Sequence, residues 1–352
     1  MKNNILYKED IQRAKDVPGV ERLQGKCFLI TGATGLIGHH LIDVLMSLSE
    51  VRVIAVGRSR EKAERILGEY FSDARFSFLE QDVKEPFPSS LKVDYIVAGA
   101  SNTHPRAYST YPIDTIMTNI DGTKNALDLA VRCGAEVLFT SSTEIYGTSR
   151  DNAPFREGDT GILDLSKARS CYTEAKRVCE ALCQSYISER SALVKIVRLS
   201  RIFGPTMLLS DSKASSQFIL KALSGEDIVL KSEGNQYFSY TYVTDAVRAI
   251  LTVMLQGAVG EAYNVSVDAC NIKLKDFARI CANHSNKEVV FDLPDEVERK
   301  GYSIAQYSIL DNKKIQSIGF VPAYVIEDAI CRTIDILKEE STSKSTSFSR
   351  SI

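Results

Sequence analysis

The sequence predicts an α/β protein: a doubly wound parallel sheet followed by a smaller C-terminal α/β lobe. Three observations carry this prediction. Short apolar runs alternate with segments of helical period over most of the chain. The first run, Cys27-Phe28-Leu29-Ile30, leads into the glycine-rich stretch TGATGLIG (31–38) and then into an amphipathic segment with Leu41, Ile42, Val44 and Leu45. That is the strand–turn–helix order of a dinucleotide-binding turn. Far downstream, Tyr172 and Lys176 stand one helical turn apart in CYTEAKRVCEAL.

Taken in order, residues 1–24 read as an N-terminal extension, helical or irregular, with a role in packing or in an oligomer contact. Strands are expected at 26–31, 51–56, 75–80, 93–98, 135–141, 193–199 and 262–266. Helices are expected at 36–48, 60–71, 112–133, 166–188, 213–224, 242–256, 273–284 and 325–338. Such alternation builds a parallel sheet covered on both faces. The dinucleotide-binding domain is expected over 25–200. The substrate-binding lobe is expected over 201–337, with some return of the chain to the first sheet. The Ser/Thr-rich tail, 338–352, is expected to be disordered.

Composition sets outer bounds. The 352 residues are 44% hydrophobic and 25% charged, a globular balance. A net charge of −2 gives no general electrostatic drive toward nucleic acid or anionic membrane, so neither is expected as a partner. No apolar run reaches the roughly 18 residues that span a bilayer. The N-terminus has no apolar signal core, so a cytoplasmic location is expected. The eight cysteines are scattered without CxxC spacing, and the four histidines form no cluster, so buried thiols and no metal are expected.

The glycine turn has a specific chemistry. Gly32 allows a tight turn, Gly35 lets the backbone approach a pyrophosphate, and Gly38 lets the helix pack close to the strand. Thr34, Leu36 and Ile37 complete the turn, and free amides at the helix start receive the phosphates. After the second strand the chain reads Gly57-Arg58-Ser59-Arg60. An acid there binds a ribose 2′-hydroxyl, whereas an arginine accommodates a 2′-phosphate. Arg58, with Ser59 helping, therefore favours NADP; a guanidinium stacked on the adenine or simply solvated is the alternative. Ala98, Gly99 and Ala100 end the fourth expected strand and are small enough to let the backbone pass close to a cofactor. Tyrosine is a poor base at neutral pH, with a free pKa of about 10. A lysine ammonium one turn away favours the phenolate, so Lys176 is expected to lower the pKa of Tyr172.

TGATGLIG, SSTEIYG (141–147), YTEAK (172–176) and RLSRIFGP (198–205) together resemble the extended short-chain dehydrogenase/reductase family of nucleotide-sugar epimerases, dehydratases and decarboxylases. The resemblance covers roughly residues 25–335, and CYTEAKRVCEALC is most similar to the UDP-glucuronate decarboxylase pattern. It implies a Rossmann-type domain in which Ser142 bonds the reacting oxygen, Tyr172 is the general base, and Lys176 holds the nicotinamide ribose. It also implies that Asp82, beside Val83, contacts the adenine and that Asn119 supports the active-site loop. Ser101, Thr143, Arg201 and Lys213 fall on the substrate side. The relatives nearest in pattern use NAD, which keeps that cofactor open beside NADP. A homodimer is also implied.

The activity implied is oxidation of an activated sugar, most often a nucleotide sugar, at C4, followed by epimerisation or decarboxylation with the cofactor regenerated. A dehydratase would carry an Asp-Glu pair where this chain has Thr143-Glu144, which weakens that reading. Three further positions depart from the family. Arg201 replaces the asparagine of RxxNxxGP, Phe238 replaces the diphosphate-binding arginine before YVxD, and Ser308 stands where an arginine precedes Asp311. Arg201, Lys213 or Lys231 could compensate. A net NADPH-dependent reductase and a non-catalytic dinucleotide sensor remain as alternatives.

Overall fold

The computed structural model describes residues 1–103, 105–149, 151–292 and 306–349. Strand β1 (Cys27–Thr31) is buried along its whole length. It pairs in parallel with β2 (Arg52–Gly57) on one side and β4 (Tyr95–Ala98) on the other. With β3 (Phe76–Glu80), β5 (Glu136–Ser142), β6 (Leu193–Leu199) and β10 (Ala262–Val265), these form a seven-stranded parallel sheet in the order β10-β6-β5-β4-β1-β2-β3. The apolar runs do not alternate with polar residues because both faces of the sheet are covered. Phe28 and Ile30 join one core, while Cys27 and Leu29 join the other. The strand order reverses between β1 and β4, which opens a crevice at the C-terminal strand ends.

Helices α2 (Leu36–Met46), α3 (Arg60–Leu67), α5 (Pro112–Cys133), α6 (Ser170–Arg190) and α8 (Val243–Gln256) fall within the expected segments, except that α6 starts and ends later than expected. A short α4 (Pro105–Thr110) precedes α5 and was not expected. The second lobe centres on β9 (Tyr237–Tyr242). This strand pairs with β7 (Arg201–Phe203) and β13 (Tyr307–Ser308) in parallel, and with β11 (Asn271–Lys273) antiparallel. Helices α7 (Ala214–Leu223) and α9 (Leu274–His284) and the pair β8 (Ile228–Leu230) and β12 (Val289–Phe291) complete it. Between them, β10 returns to the large sheet beside β6.

Helix α1 (Ile5–Lys15) packs against α2, α8 and the C-terminal helix Ile326–Ser349. Its Asp10 is buried and accepts from Tyr242 Oη (2.6 Å), Tyr324 Oη (2.5 Å) and Arg332 Nε (2.7 Å). Buried Asp43 on α2 accepts from Tyr7 Oη (2.5 Å) and Tyr70 Oη (2.7 Å). Of the tail expected to be disordered, 338–352, the described residues are helical as far as Ser349, and 350–352 lie outside the described residues. The N-terminal extension supplies the reason: Asn4 Nδ2 donates to Glu339 Oε2 at 2.5 Å, and the terminal ammonium pairs with Glu340. Among the described residues, no helix is long and apolar enough to cross a membrane. No group of three His, Cys, Asp or Glu among them is placed to hold a metal.

Candidate active site

A cavity of about 1000 Å³ occupies the crevice and extends under the second lobe. Its floor is the glycine turn. Gly32 has a φ of +72°, and a Cβ there would lie 2.8 Å from the Gly99 carbonyl oxygen. A Cβ on Gly38 would come within 2.4 Å of the Gly32 carbonyl oxygen. Gly35 caps α2 without any side-chain bond, which leaves the first amides of the helix open to an anion. Thr31 Oγ1 accepts from the amides of Gly99 (2.9 Å) and Ala100 (3.0 Å), tying the end of β1 to the end of β4. Ser101 Oγ, at the same edge, is buried with no partner among the described residues. A backbone cradle with unpartnered donors beside it fits a dinucleotide pyrophosphate. Thr34, Leu36 and Ile37 line it.

At the far end, Gly57 closes β2, and Arg58 lies exposed at the rim. The Ser59 hydroxyl is engaged as the N-cap of α3, accepting from the Lys62 amide at 3.1 Å. Lys62 also lines the cavity, and its pKa is lowered by burial first and then by the nearby charges of Arg58 and Arg65. Asp82 and Val83 form the adjoining wall, with Asp82 accepting from the Lys84 amide at 3.0 Å. Ala98 and Asn119 are not brought to the wall. Ala98 is packed into the sheet core, where its carbonyl accepts from Thr140 Oγ1 at 3.0 Å. Asn119 lies one layer behind, donating to the Thr115 carbonyl at 2.7 Å, while its own carbonyl accepts from Cys179 Sγ at 3.2 Å.

Ser142, Tyr172 and Lys176 meet where β5 ends and α6 begins. Ser142 is the last residue of β5 and caps the following 3-10 turn, accepting from the Glu144 amide at 3.2 Å. Tyr172 is buried in the first turn of α6, with the Ser142 hydroxyl near enough to influence its phenol and its ring stacked on Tyr108 at 4.8 Å and 21°. Lys176 Nζ donates to the Thr140 carbonyl at 2.7 Å and sits 4.8 Å above the Phe139 ring. Burial pushes the Lys176 pKa down to about 8. Burial likewise pushes Tyr172 above its ordinary value, opposed by the Ser142 hydroxyl and reinforced by Glu144. The expected lowering of Tyr172 by Lys176 is therefore not found in the protein alone. The ammonium is 6.0 Å from the ring centroid and committed to Thr140, so desolvation of the phenolate dominates.

On the substrate side, Glu144 lies between two guanidinium groups, Arg169 Nη2 at 3.8 Å and Arg201 Nη2 at 3.7 Å. Arg201 stacks on Phe238 with its Cζ 3.6 Å from the ring centroid. Thr143 Oγ1 and Ser308 Oγ are 3.0 Å apart, so position 308 is beside the reacting end of the cavity. Lys213 reaches the wall but is paired with Asp211 at 3.4 Å, and Lys231 is paired with Asp292. Sequence reasoning missed Tyr108, Arg169, Gln236 and Tyr240, all of which line the cavity. Two signals pointed to some of them. Arg169 precedes Tyr172 by three residues, and Gln236, Phe238 and Tyr240 alternate along β9 so as to share one face.

Comparison with known proteins gives this geometry a lineage. Residues 28–266 match the model of the NAD dependent epimerase/dehydratase family. UDP-glucuronic acid decarboxylase 1 of Xenopus tropicalis is 31% identical over 339 residues, 95% of this chain and 77% of that protein. UDP-glucuronic acid decarboxylase 6 of Arabidopsis thaliana is 36% identical over 226 residues, 64% of this chain and 65% of that protein. The fold is similar to that of UDP-glucuronic acid 4-epimerase from Bacillus cereus, solved with UDP-glucuronic acid and NAD. That similarity has a TM-score of 0.78 at 19% identity and covers 89% of this chain and 99% of the other. With the family model spanning most of the chain and a relative aligned along nearly all of it, the protein belongs to the NAD-dependent epimerase/dehydratase family, as an enzyme of the extended short-chain dehydrogenase/reductase type.

Proposed function

We propose that the enzyme oxidises C4 of a nucleotide-linked sugar and then epimerises or decarboxylates the 4-keto sugar, regenerating its cofactor within one turnover. The observation that carries this reading is the convergence of Ser142, Tyr172 and Lys176 on the same cavity as the glycine turn. Tyr172 takes the C4 hydroxyl proton, and Ser142 bonds the same oxygen while charge builds on it. Lys176, held by Thr140, is positioned for the ribose hydroxyls and for electrostatic support of the phenolate. When bound, a nicotinamide dinucleotide supplies the hydride acceptor and, later in the turnover, the hydride donor. The burial of all three side chains' surroundings limits competing water.

Thr143 is bonded to Ser308 and Glu144 faces arginines, so no paired carboxylates stand ready for elimination of water. That favours epimerisation or decarboxylation over dehydration. A 4-keto group is β to a C6 carboxylate, so carbon dioxide can leave with the electron pair delocalised onto the ketone. Epimerisation needs only rotation of the keto sugar and hydride return to its other face.

We also propose NADP as the cofactor. Arg58 and Lys62 offer two cations at the rim where a 2′-phosphate would lie, and no acid replaces Gly57 to bind a free 2′-hydroxyl. The test of the reaction is incubation of the cofactor-loaded enzyme with UDP-glucuronic acid, followed by NMR. A C4 epimer or a UDP-pentose with carbon dioxide is expected, without net change in reduced cofactor. Stoichiometric consumption of NADPH with a keto sugar would replace this reading with a reductase.

A further inference from the structure

The substrate wall differs from the family pattern at two positions that touch each other. Arg201 and Phe238 stand where the motifs this chain resembles carry an asparagine and an arginine. Arg201 Cζ lies 3.6 Å from the centroid of the Phe238 ring, so the cation on β7 rests on an apolar platform supplied by β9. Arg201 Nη2 is 3.7 Å from Glu144, beyond direct hydrogen-bond range, and Nη1 is buried with no hydrogen-bond partner among the described residues. A buried guanidinium donor without an acceptor is a costly arrangement that an anionic ligand oxygen would relieve.

The position of this cation identifies the anion. Glu144 is two residues from Ser142, and its charge is felt by Tyr172. Arg201 is thus at the reacting end of the cavity. On a pyranose oxidised at C4, the C6 substituent is attached to the neighbouring carbon, C5. The diphosphate leaves from C1, across the ring. We propose that Arg201, seated on Phe238, is the specificity-determining residue that selects an activated sugar carrying a carboxylate at C6. The inference rests on the C4-oxidation reading above and adds the substrate class. Arg169, the other cation beside Glu144, is more exposed and has no such platform among the described residues, so the two arginines leave one positive charge in excess of Glu144.

The diphosphate is the other anion a guanidinium could hold, and three probes separate the two. UDP-glucuronic acid, UDP-glucose and UDP share the nucleotide diphosphate, and only the first has the carboxylate. Calorimetric titration uses the full-length, cofactor-loaded enzyme and its Arg201→Gln and Arg201→Lys variants. The wild-type enzyme is expected to bind UDP-glucuronic acid more tightly than UDP-glucose. Arg201→Gln is expected to weaken UDP-glucuronic acid by about 10- to 100-fold, the worth of a charge-assisted bond, and to leave UDP-glucose and UDP within about twofold. Arg201→Lys, which keeps the charge and loses the fork, is expected to fall between. It also provides the reading if Arg201→Gln fails to fold. Equal weakening of all three ligands would move Arg201 to the diphosphate and overturn the assignment while leaving the nucleotide-sugar reading intact. Unchanged affinities would reduce Arg201 to a partner of Glu144 and also overturn it. Failure of the wild-type enzyme to bind any of the three would remove the nucleotide-sugar reading itself.

Discussion

Replacing Gly38 with alanine tests whether the close approach of α2 to the glycine turn is what makes the phosphate site. The new Cβ would lie 2.4 Å from the Gly32 carbonyl oxygen, 2.9 Å from Ala33 Cα and 3.0 Å from the Gly32 carbonyl carbon. All three neighbours are backbone, so no side chain can rotate away. Restoring an ordinary 3.4 Å contact to the oxygen requires 3.4 − 2.4, or about 1 Å, of movement between helix and turn. Overpacking of this kind costs about 1–3 kcal/mol. Alanine recovers roughly 0.5–1 kcal/mol of helix propensity over glycine, so a net loss of up to about 2.5 kcal/mol is expected. The effect on the cofactor is larger. A 1 Å shift carries an amide–phosphate bond from about 2.9 Å to about 3.9 Å, outside hydrogen-bond range. Loss of one charge-assisted bond weakens binding by at least about tenfold. The control is Gly68→Ala, where a Cβ meets nothing within 4 Å and φ is −55°. That change is expected to be neutral or to stabilise by about 0.4–1 kcal/mol. Thermal melting and dinucleotide titration of both variants read the result. Gly38→Ala with wild-type melting and wild-type affinity would refute the close-packing argument.

Other perturbations read other parts of the site. Tyr172→Phe is expected to lower kcat by about 10²–10⁴ while dinucleotide affinity stays near wild type; a near-normal kcat would remove Tyr172 from proton transfer. Arg58→Ala is expected to weaken NADP much more than NAD in parallel titrations, and equal weakening would reject the 2′-phosphate role. Glu144→Gln is expected to allow the first hydride transfer and then stall, seen as a persistent rise in reduced-nicotinamide absorbance in a single turnover. Normal steady-state turnover in that variant would leave epimerisation or reduction. Asp245, buried at the start of α8 and accepting from the amides of Ala323 (2.7 Å) and Tyr324 (3.2 Å), is held up to about 7 by burial. A carboxyl raised in the folded state contributes stability at low pH that is lost as pH rises from its unfolded value, about 4, through 7. Asp245→Asn is expected to flatten that part of a pH–melting curve relative to wild type, and parallel curves would show that Asp245 does not titrate there.

The large sheet was legible because most of its strands are buried apolar runs bounded by turns and helices; β3, with Ser77 and Glu80 exposed, is the exception. VRVIAV and EVLFTSS can satisfy neither a helical nor a half-exposed pattern. The second lobe was not legible in the same way. Strands β7, β8, β11 and β12 have three residues each, too few to show a period, and β13 has two. The glycine turn and the Tyr172–Lys176 pair could be read because their spacing is local to single elements, whereas Ser142, on β5, was reached only through the resemblance of SSTEIYG. Arg169 and Tyr108 converge with them only through the packing of α4, α5 and α6. The inversion of the expected effect on Tyr172 has the same origin. Sequence spacing shows that a lysine is near, but not that both groups are buried deeply enough for desolvation to dominate. The start of the C-terminal tail was not legible because its composition is that of a solvated segment, whereas Asn4 and the N-terminal ammonium supply donors to its Glu339 and Glu340 carboxylates.

Polar groups that hold the fold and polar groups that face the cavity are treated differently by this chain. Asp10 and Asp43, buried on the side of α1 and α2, are met by tyrosine and arginine donors from distant elements. Those bonds lock the N-terminal and C-terminal helices to the sheet and leave little for a ligand to add. Setting aside Glu136 Oε1, which pairs with Lys195 Nζ at 2.9 Å, seven side chains among the described residues carry a buried nitrogen or oxygen with no hydrogen-bond partner, and five of them line the cavity: Ser101, Thr118, Ser141, Arg201 and Gln236. Each such atom costs about 1–3 kcal/mol when left unmet, so their concentration in one place is not explained by stability. It is explained if ligand atoms meet them. Ser101, Thr118 and Ser141 border the end that would hold a cofactor, whereas Arg201 and Gln236 border the sugar end. Binding would then recover a cost already present in the free chain, and the orientation of each ligand would follow from which unmet donor or acceptor it can reach. Filling the cavity with an apolar molecule of equal size would recover none of that cost, so a preference for polar over apolar ligands would follow from how these five side chains are buried.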